Sequence, residues 1–332
     1  MKTTKKPRRS LRAVAALAAS AFALSACSGG SDPEKTVVMY SSANETTVGI
    51  LQDSARDNDL KLDLVTGSSG PLLERIKSES KKPKADIFFG APVENLAPYE
   101  EYATPVESSE TEAIDPEVLE QQEGWIPING HVVAFMVNTT RLDVDAPTSW
   151  EDLLDPKLKG KIIVASPEDS STALVGLYAA YKTLGEDDFK KLVDNLEVSD
   201  NSGNIYPAVS QGEYQVSIGY EANIYPYVAN KQPGIEMNYP TDGTAIAYDC
   251  VYLVKDSPNP QKAAEVVDQM LSKDIQIQEL EDSFRRPVRT DIDPSDYTDF
   301  KSLDDLTLVD IDTDEDEAGR EEFLELWKEL TK

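Results

Sequence analysis

The chain has 332 residues, of which 40% are hydrophobic and 8% aromatic, so it is long enough for two lobes and apolar enough to bury a core. Its 61 acidic and 32 basic residues give a formal net charge of −29. This surplus argues strongly against a nucleic-acid partner, because nucleic acid is bound by a basic face.

The first 26 residues predict a lipoprotein signal peptide. Six Lys and Arg residues precede the apolar run AVAALAASAFAL, which is too short to span a membrane. The run leads into LSAC, small residues before Cys27 as in a bacterial lipobox; the alternative is an ordinary signal peptide with a chance cysteine. We expect a lipid on Cys27, a tether over 27–35 and a mature protein at the extracytoplasmic face of the cell membrane.

Short β-branched and aromatic runs alternate with helix-period segments along the mature chain. The predicted strands are 36–40, 61–66, 85–90, 131–138, 161–165, 215–220, 235–240 and 245–255. The predicted helices are 44–57, 71–80, 149–155, 171–184, 186–194, 204–211, 260–272 and 274–281. This alternation predicts an α/β fold with largely parallel sheets.

Hydroxyl-rich or glycine-rich turns follow four of these strands and open helices. They read SSANE, GSSGP, GAPVE and SPEDSST, and a fifth polar cluster, SDNSGNIYPAV, opens a helix after a loop. Helix N-termini favour anions, and ligands of open α/β sheets gather beyond the carboxyl ends of the strands. One such turn is ordinarily a helix cap, but five in one chain predict a shared anion cleft.

Several segments resemble the extracellular solute-binding lipoproteins of ABC importers, in the subgroup similar to ferric-ion-binding proteins that also includes organophosphonate and sugar-phosphate binders. The segments are VVMYSSANE, GSSGPLLERIKSE with ADIFFGAP, SWEDLLDPKLKGKIIVASPEDSST, GEYQVSIGYEA and YPTDGTAIAYDCVYLVKDSPNPQKAAEVVDQMLSKDIQ. In family order, they cover most of residues 36 to 290.

The resemblance implies a two-lobed periplasmic-binding-protein-like fold of type II, with mixed sheets flanked by helices. Two crossover strands, near Asn129–Asn138 and Gly243–Tyr248, would form its hinge. Lobe 1 would comprise residues 36–132 plus 245–332, and lobe 2 residues 133–244. The resemblance also implies a monomer without a cofactor, which captures a small solute between its lobes and delivers it to a membrane permease.

The sequence departs from the pattern of the iron-binding members of the family. Those members hold iron with a His in the first loop, a carboxylate, an adjacent Tyr pair and an anion. Here the first loop is SSANE, the only His is His131 within an apolar run, and no two Tyr are adjacent. We predict no metal site, but ferric iron remains the alternative ligand because Tyr220, Glu221 and Tyr225 are hard oxygen donors.

A phosphate or phosphonate group is the anion that the hydroxyl clusters fit best, because backbone N–H groups and hydroxyls satisfy its three acceptor oxygens. The candidate residues for this role are Ser41, Ser42, Ser68, Ser69, Gly70, Ser170, Ser171 and Thr172, with Asn204 in the fifth cluster. Tyr220 is expected at the other end of the ligand, where Glu45, Glu221 and Asp242 suit an amine or sugar hydroxyls. The hypothesis is an aminoalkylphosphonate or a phosphorylated sugar.

Two charged features allow more than one interpretation. Arg285, Arg286 and Arg289 form the only basic cluster of the mature core, and they either reach an anionic ligand or pair with acidic residues. The acidic C-terminal run favours a solvated face over a Ca²⁺ loop, since it lacks the glycine at the sixth position of such a loop.

An extracytoplasmic lipoprotein hydrolase is the alternative from a different class. Nucleophilic catalysis needs a base beside Ser or Cys, yet His131 stands alone and no Gly-x-Ser-x-Gly elbow is present. Catalysis by a pair of carboxylates remains an alternative, because the chain has 61 acidic residues. We predict a binding protein rather than an enzyme, with a structural surface protein as a third possibility.

Overall fold

The computed structural model describes residues 35–121, 125–311 and 314–332. The predicted signal peptide and nearly all of the predicted tether, with Cys27, lie outside the described residues. None of the helices in these ranges combines the length and the apolar character that a membrane span requires.

Strands and helices alternate through the described chain, as expected. The strands are β1 (Thr36–Ser41), β2 (Lys61–Thr66), β3 (Ile87–Ala91), β4 (Ala103–Thr104), β5 (Ile126–Asn138), β6 (Ile162–Ala165), β7 (Leu196–Ser199), β8 (Val216–Tyr220), β9 (Ile235–Asn238), β10 (Ile246–Val254) and β11 (Arg286–Pro287). The α-helices are α1 (Glu45–Asp57), α2 (Ser69–Glu79), α3 (Val93–Leu96), α4 (Pro116–Gln121), α5 (Ser171–Leu184), α6 (Glu186–Val193), α7 (Ile205–Ser210), α8 (Glu221–Ala229), α9 (Pro260–Leu271), α10 (Lys273–Ser283) and α11 (Asp314–Leu330). Short 3₁₀ turns include Glu151–Leu154, where a helix was expected, and Ser202–Asn204.

The long strand β5 joins two groups of strands in the order β2-β1-β3-β10-β5-β8-β6-β7. Its first half, Ile126 to Val132, pairs with β10, and its second half, from Val133, pairs with β8 and β9. Strand β1 is parallel to β2 and β3, and β6 is parallel to β7 and β8, whereas β10 and β8 are antiparallel to β5. The predicted mixed α/β architecture is therefore confirmed.

Separate hydrophobic cores lie on either side of this junction. The first contains Phe88 and Phe89 of β3 with the apolar faces of α1, α2 and α9. The second contains Phe135 of β5 and Trp150, which meet edge to face at 4.8 Å between ring centroids, together with most of α5. The first core contains Ile126 and Ile128 and the second contains Val133 and Val137, so they occupy different halves of β5, as the predicted two lobes require.

The C-terminal segment packs on lobe 2, so the assignment of all of 245–332 to lobe 1 is wrong for its end. The Val309 N–H donates to the Thr244 carbonyl at 2.7 Å, which ties the segment to the start of β10. Beyond it, Phe323 and Trp327 of α11 are each 1% exposed, and the Phe323 ring meets that of Phe189 at 5.5 Å. The acidic composition of this run predicted a solvated face. Phe323 and Trp327 are four residues apart, however, and therefore lie on the same face of a helix.

Replacing Trp327 with alanine is expected to lower the free energy of unfolding by about 3 to 5 kcal/mol, because a fully buried indole leaves a cavity in the lobe 2 core. Urea denaturation of the soluble chain that begins at Ser28 measures the change. The control is Glu322→Ala on the exposed face of α11, which should stay within about 0.5 kcal/mol of wild type. Equal stability of both variants would show that α11 does not pack on lobe 2.

Candidate functional site

A cavity of about 570 Å³ lies between the two lobes, within the size range of small-molecule sites. Lobe 1 lines it with the start of α1 and the end of α10. Lobe 2 lines it with the first turns of α5 and α8, with the 3₁₀ turn at Ser202 and Gly203, and with Tyr206 of α7. Helix ends from both lobes therefore surround one space.

Helix starts form one part of the cavity wall. The wall includes Asn44 and Thr46 at α1, Thr172 at α5, and Asn223 at α8. The Asn44 side chain accepts a hydrogen bond from only one first-turn amide, that of Thr47, at 2.9 Å. The other first-turn N–H groups have no acceptor within the helix and carry a partial positive charge. This part of the wall favours an anion.

A helix end forms another part of the wall. Asp282, Ser283 and Phe284 complete α10, whose last carbonyls give this end a partial negative charge. Asp282 is exposed, and it is the only charged side chain among the described residues that line the cavity. The rings of Phe284 and Tyr227 also line the space. A carboxylate beside aromatic faces favours a cation.

Of the predicted ligand residues, Thr172 alone is among the described residues that line the cavity. Ser170, close to it in the chain, caps α5 by accepting the Ala173 N–H at 3.3 Å. Ser171 is exposed at the first position of α5. Asn204 ends the 3₁₀ turn whose preceding residues line the cavity, but it does not line the cavity itself.

Other predicted ligand residues have local structural partners. Ser41 is fully buried, and its hydroxyl oxygen accepts the Ala43 N–H at 3.1 Å. The Ser42 hydroxyl donates to the Gly90 carbonyl. Gly90 has φ 105°, and a Cβ there would lie 2.8 Å from the Ala43 nitrogen, so the close approach of this loop requires glycine. Ser41 and Ser42 thus shape the loop before α1.

Four more of the predicted residues lie away from the cavity lining. Ser68, Ser69 and Gly70 start α2, which follows β2, the outermost strand of the lobe 1 sheet. Glu45 is exposed in the first turn of α1, on the side of the helix that does not line the cavity.

Glu221 and Asp242 do not line the cavity, in contrast to the expectation for both. Glu221 is 0% exposed, and its two carboxylate oxygens accept from Nε and Nη2 of Arg286, each at 2.8 Å, while the Tyr239 hydroxyl also donates to it. Asp242 accepts the N–H groups of Trp150 and Glu151 at 3.0 and 3.2 Å. Both carboxylates are committed to internal donors.

His131, Asp249 and Arg285 form a buried polar group in lobe 1. The His131 ring lies 5.0 Å from the ring of Tyr220, the predicted ligand residue that ends β8, and stacks on it. Burial, followed by the charge of Arg285, lowers the pKa of His131, so the ring is neutral at neutral pH. A neutral ring that donates from Nε2 to Asp249, at 3.0 Å, leaves Nδ1 to accept from Arg285 at 2.6 Å. Tyr220 therefore packs against this polar group and is not among the residues that line the cavity.

The basic cluster follows the pairing interpretation. Arg286 pairs with Glu221, and Arg289 pairs with Glu110 and Asp291, the latter at 2.8 Å. None of these arginines lines the cavity in the described part of the chain.

Sequence reasoning missed several lining residues, above all Tyr206, Asn223, Tyr227 and Asp282. Helix α8 was not predicted, because Pro226 stands inside it. The predicted end of α10 stopped at residue 281, one short of Asp282, and no local signal directs that carboxylate to a cleft. Among the described residues no three or more His, Cys, Asp or Glu side chains gather as a metal site would require.

Comparisons with known proteins give a consistent result. Residues 82–313 match the family model described as bacterial extracellular solute-binding protein. A putative 2-aminoethylphosphonate-binding periplasmic protein of Salmonella typhimurium is 26% identical over 245 residues, 70% of this chain and 71% of that protein. Iron uptake protein A1 of Synechocystis sp. is 26% identical over 277 residues, 77% and 76% of the two chains.

A solved structure shows the same fold. The periplasmic binding protein AfuA from Actinobacillus pleuropneumoniae, with bound fructose-6-phosphate, superposes with a TM-score of 0.75 at 24% identity. The match covers 89% of this chain and 99% of AfuA. It confirms the predicted two-lobed fold of type II.

Replacing Glu221 with glutamine is expected to lower the free energy of unfolding by about 3 to 5 kcal/mol, because Arg286 would keep a buried charge without its partner. Urea denaturation measures the loss. The matched control is Glu236→Gln on the exposed side of β9, which should change stability by less than about 0.5 kcal/mol. If Glu221→Gln kept the stability of wild type but lost ligand binding, Glu221 would be a ligand-binding residue and not a structural partner of Arg286.

Proposed function

Because the chain belongs to the bacterial extracellular solute-binding protein family, we propose that its ligand is a small phosphonate or phosphate that also carries an amine, such as 2-aminoethylphosphonate. The chain is the solute-binding component of an ABC importer. It would act by binding alone, holding the solute between its lobes for a membrane permease, with no reaction step.

The distribution of charge around the cavity is the observation that carries this proposal. The starts of α1, α5 and α8 offer N–H groups and the hydroxyls of Thr46 and Thr172 to an anion, without a basic side chain. The end of α10 offers Asp282 to a cation. A ligand with opposite charges at its two ends matches both parts, whereas a simple anion leaves Asp282 without a partner.

The two other ligands of related proteins match the cavity less well. A hexose phosphate would use the helix starts but would present only hydroxyls to Asp282. Ferric iron would require several hard oxygen ligands, yet Asp282 is the only carboxylate among the described residues that line the cavity. Asp282 alone is a weak iron site.

We also propose that the mature protein is a lipid-anchored monomer at the extracytoplasmic face of the membrane. The lipobox-like sequence that ends in Cys27 supports the anchor, and the small polar residues after it support a tether. The family places the protein outside the cytoplasm, where such an anchor would hold it near its permease.

Calorimetric titration of the soluble chain tests the ligand. We expect binding of 2-aminoethylphosphonate, and about 10-fold to 100-fold weaker binding of ethylphosphonate, since a charge-assisted hydrogen bond to Asp282 contributes about 1.5 to 3 kcal/mol. Asp282→Asn should weaken 2-aminoethylphosphonate by a similar factor and leave ethylphosphonate unchanged. Glu281→Gln, which changes an exposed neighbour outside the cavity lining, is the control.

Three outcomes would contradict the proposal. Equal affinity for the two phosphonates would show that Asp282 does not bind the amine of the ligand. Binding of fructose 6-phosphate but of neither phosphonate would assign the site to sugar phosphates. Binding of ferric citrate alone would assign it to iron.

A further inference from the structure

Among the described residues of lobe 1, one buried amide oxygen and one buried carboxylate oxygen lack a hydrogen-bond donor. They are Oδ1 of Asn129 on β5 and Oε1 of Glu279 on α10, and each residue is 1% exposed. The same two side chains are already joined, because the Asn129 Nδ2 group donates to Glu279 Oε2 at 3.1 Å. Buried acceptors without a donor are rare in folded proteins and costly.

A single proton satisfies both atoms. If the Glu279 carboxyl carries it on Oε1, that O–H donates to Asn129 Oδ1 and completes a cyclic acid–amide pair with two hydrogen bonds. We propose that Glu279 is a neutral carboxylic acid held by Asn129 through two hydrogen bonds, and that this proton couples the lobe 1 wall of the ligand cavity to pH. The coupling goes beyond the proposed ligand and is independent of which ligand binds.

The charged surroundings of Glu279 support a neutral acid. Arg285 and Asp249 face it, with the neutral His131 between them, so the charge of Arg285 is shared with Asp249. Helix α1 contributes the uncharged Thr47 near the end of α10, and the buried residues of α9 are apolar. Arg286 on β11 is neutralised by its own carboxylate partner. Burial raises the pKa of Glu279 to about 7, against the smaller opposing effects of Asn129 and Arg285.

The backbone links Glu279 to the cavity. Its carbonyl oxygen accepts the Ser283 hydroxyl at 2.7 Å and the N–H of Phe284, and both residues line the cavity. The Ser283 hydroxyl oxygen in turn receives the Thr47 hydroxyl from α1 at 3.3 Å. Ionisation would keep the bond from Asn129 Nδ2 but would remove the O–H···Oδ1 bond one helical turn before the cavity wall, which would loosen the end of α10.

The direction of the pH effect follows from the raised pKa. The folded protein keeps a proton that the unfolded chain releases near the ordinary pKa of 4.5. The stabilisation from the neutral acid is therefore complete below pH 4.5 and is lost as the pH rises through about 7. The chain has one His, whose pKa burial lowers, so few other groups titrate between pH 6 and 8.

Thermal melts between pH 5.5 and 8.5 test the protonation. Glu279→Gln keeps both hydrogen bonds without a titrating proton, so its Tm should exceed that of wild type at pH 8 and depend less on pH. Glu281→Gln on the exposed side of α10 should follow wild type. Parallel pH profiles of wild type and Glu279→Gln would overturn the proposal.

Infrared difference spectra provide a test that does not depend on a folded variant. Wild type should show the C=O band of a protonated carboxyl at pH 6 that disappears by pH 8.5. Absence of this band at pH 6 would overturn the proposal.

Hydrogen exchange tests the coupling to the cavity without any ligand. Amides of a peptide covering residues 279–287 should exchange faster in wild type than in Glu279→Gln at pH 8 and equally at pH 6. Equal rates at both values would overturn the coupling. Titration with 2-aminoethylphosphonate is a separate experiment. If this ligand does not bind, the proposed function is contradicted, but the thermal melts, infrared spectra and hydrogen exchange still test the protonation of Glu279.

Discussion

The shared strand β5 is the constraint on which the arrangement of the two lobes depends. All thirteen of its residues are buried, and it is bonded to β10 along one half and to β8 and β9 along the other. Polar side chains on so buried a strand must find partners. Asn129 finds Glu279, His131 finds Asp249, and the Asn138 amide donates to the Val209 carbonyl at 2.8 Å. The polar groups near the hinge follow from this requirement.

The polarity of the cavity follows from chain direction. The strands β1, β6 and β8 each lead into a helix, so the starts of α1, α5 and α8 reach the same space from two lobes. Helix α10 runs the other way and brings its last turn there. The proposed anion and cation subsites would therefore arise from the orientation of helices, with Asp282 as the only charged residue of the described chain that lines the cavity.

Much of the fold was predictable because its signals are local. Hydrophobic periodicity located most strands and helices, the family resemblance is confirmed, and the hydroxyl cluster before α5 did lead to the cavity through Thr172. Contacts between distant residues were not predictable. No local sequence signal near Glu221 predicts that Arg286, 65 positions later, donates hydrogen bonds to both of its carboxylate oxygens. The order of the strands in the sheet was equally unpredictable from sequence. It puts β2 at the edge of the sheet, so Ser68 and Ser69, which follow β2, lie away from the cavity lining.

The return of the C-terminal segment to lobe 2 has a mechanical consequence. The chain passes between the lobes along β5, again at the start of β10, and a third time between Val288, in the lobe 1 core, and Leu303, which packs in lobe 2. A joint with two covalent connections permits one lobe to twist relative to the other as well as to bend. A third connection opposes twisting and therefore adds a constraint on how one lobe can be oriented against the other.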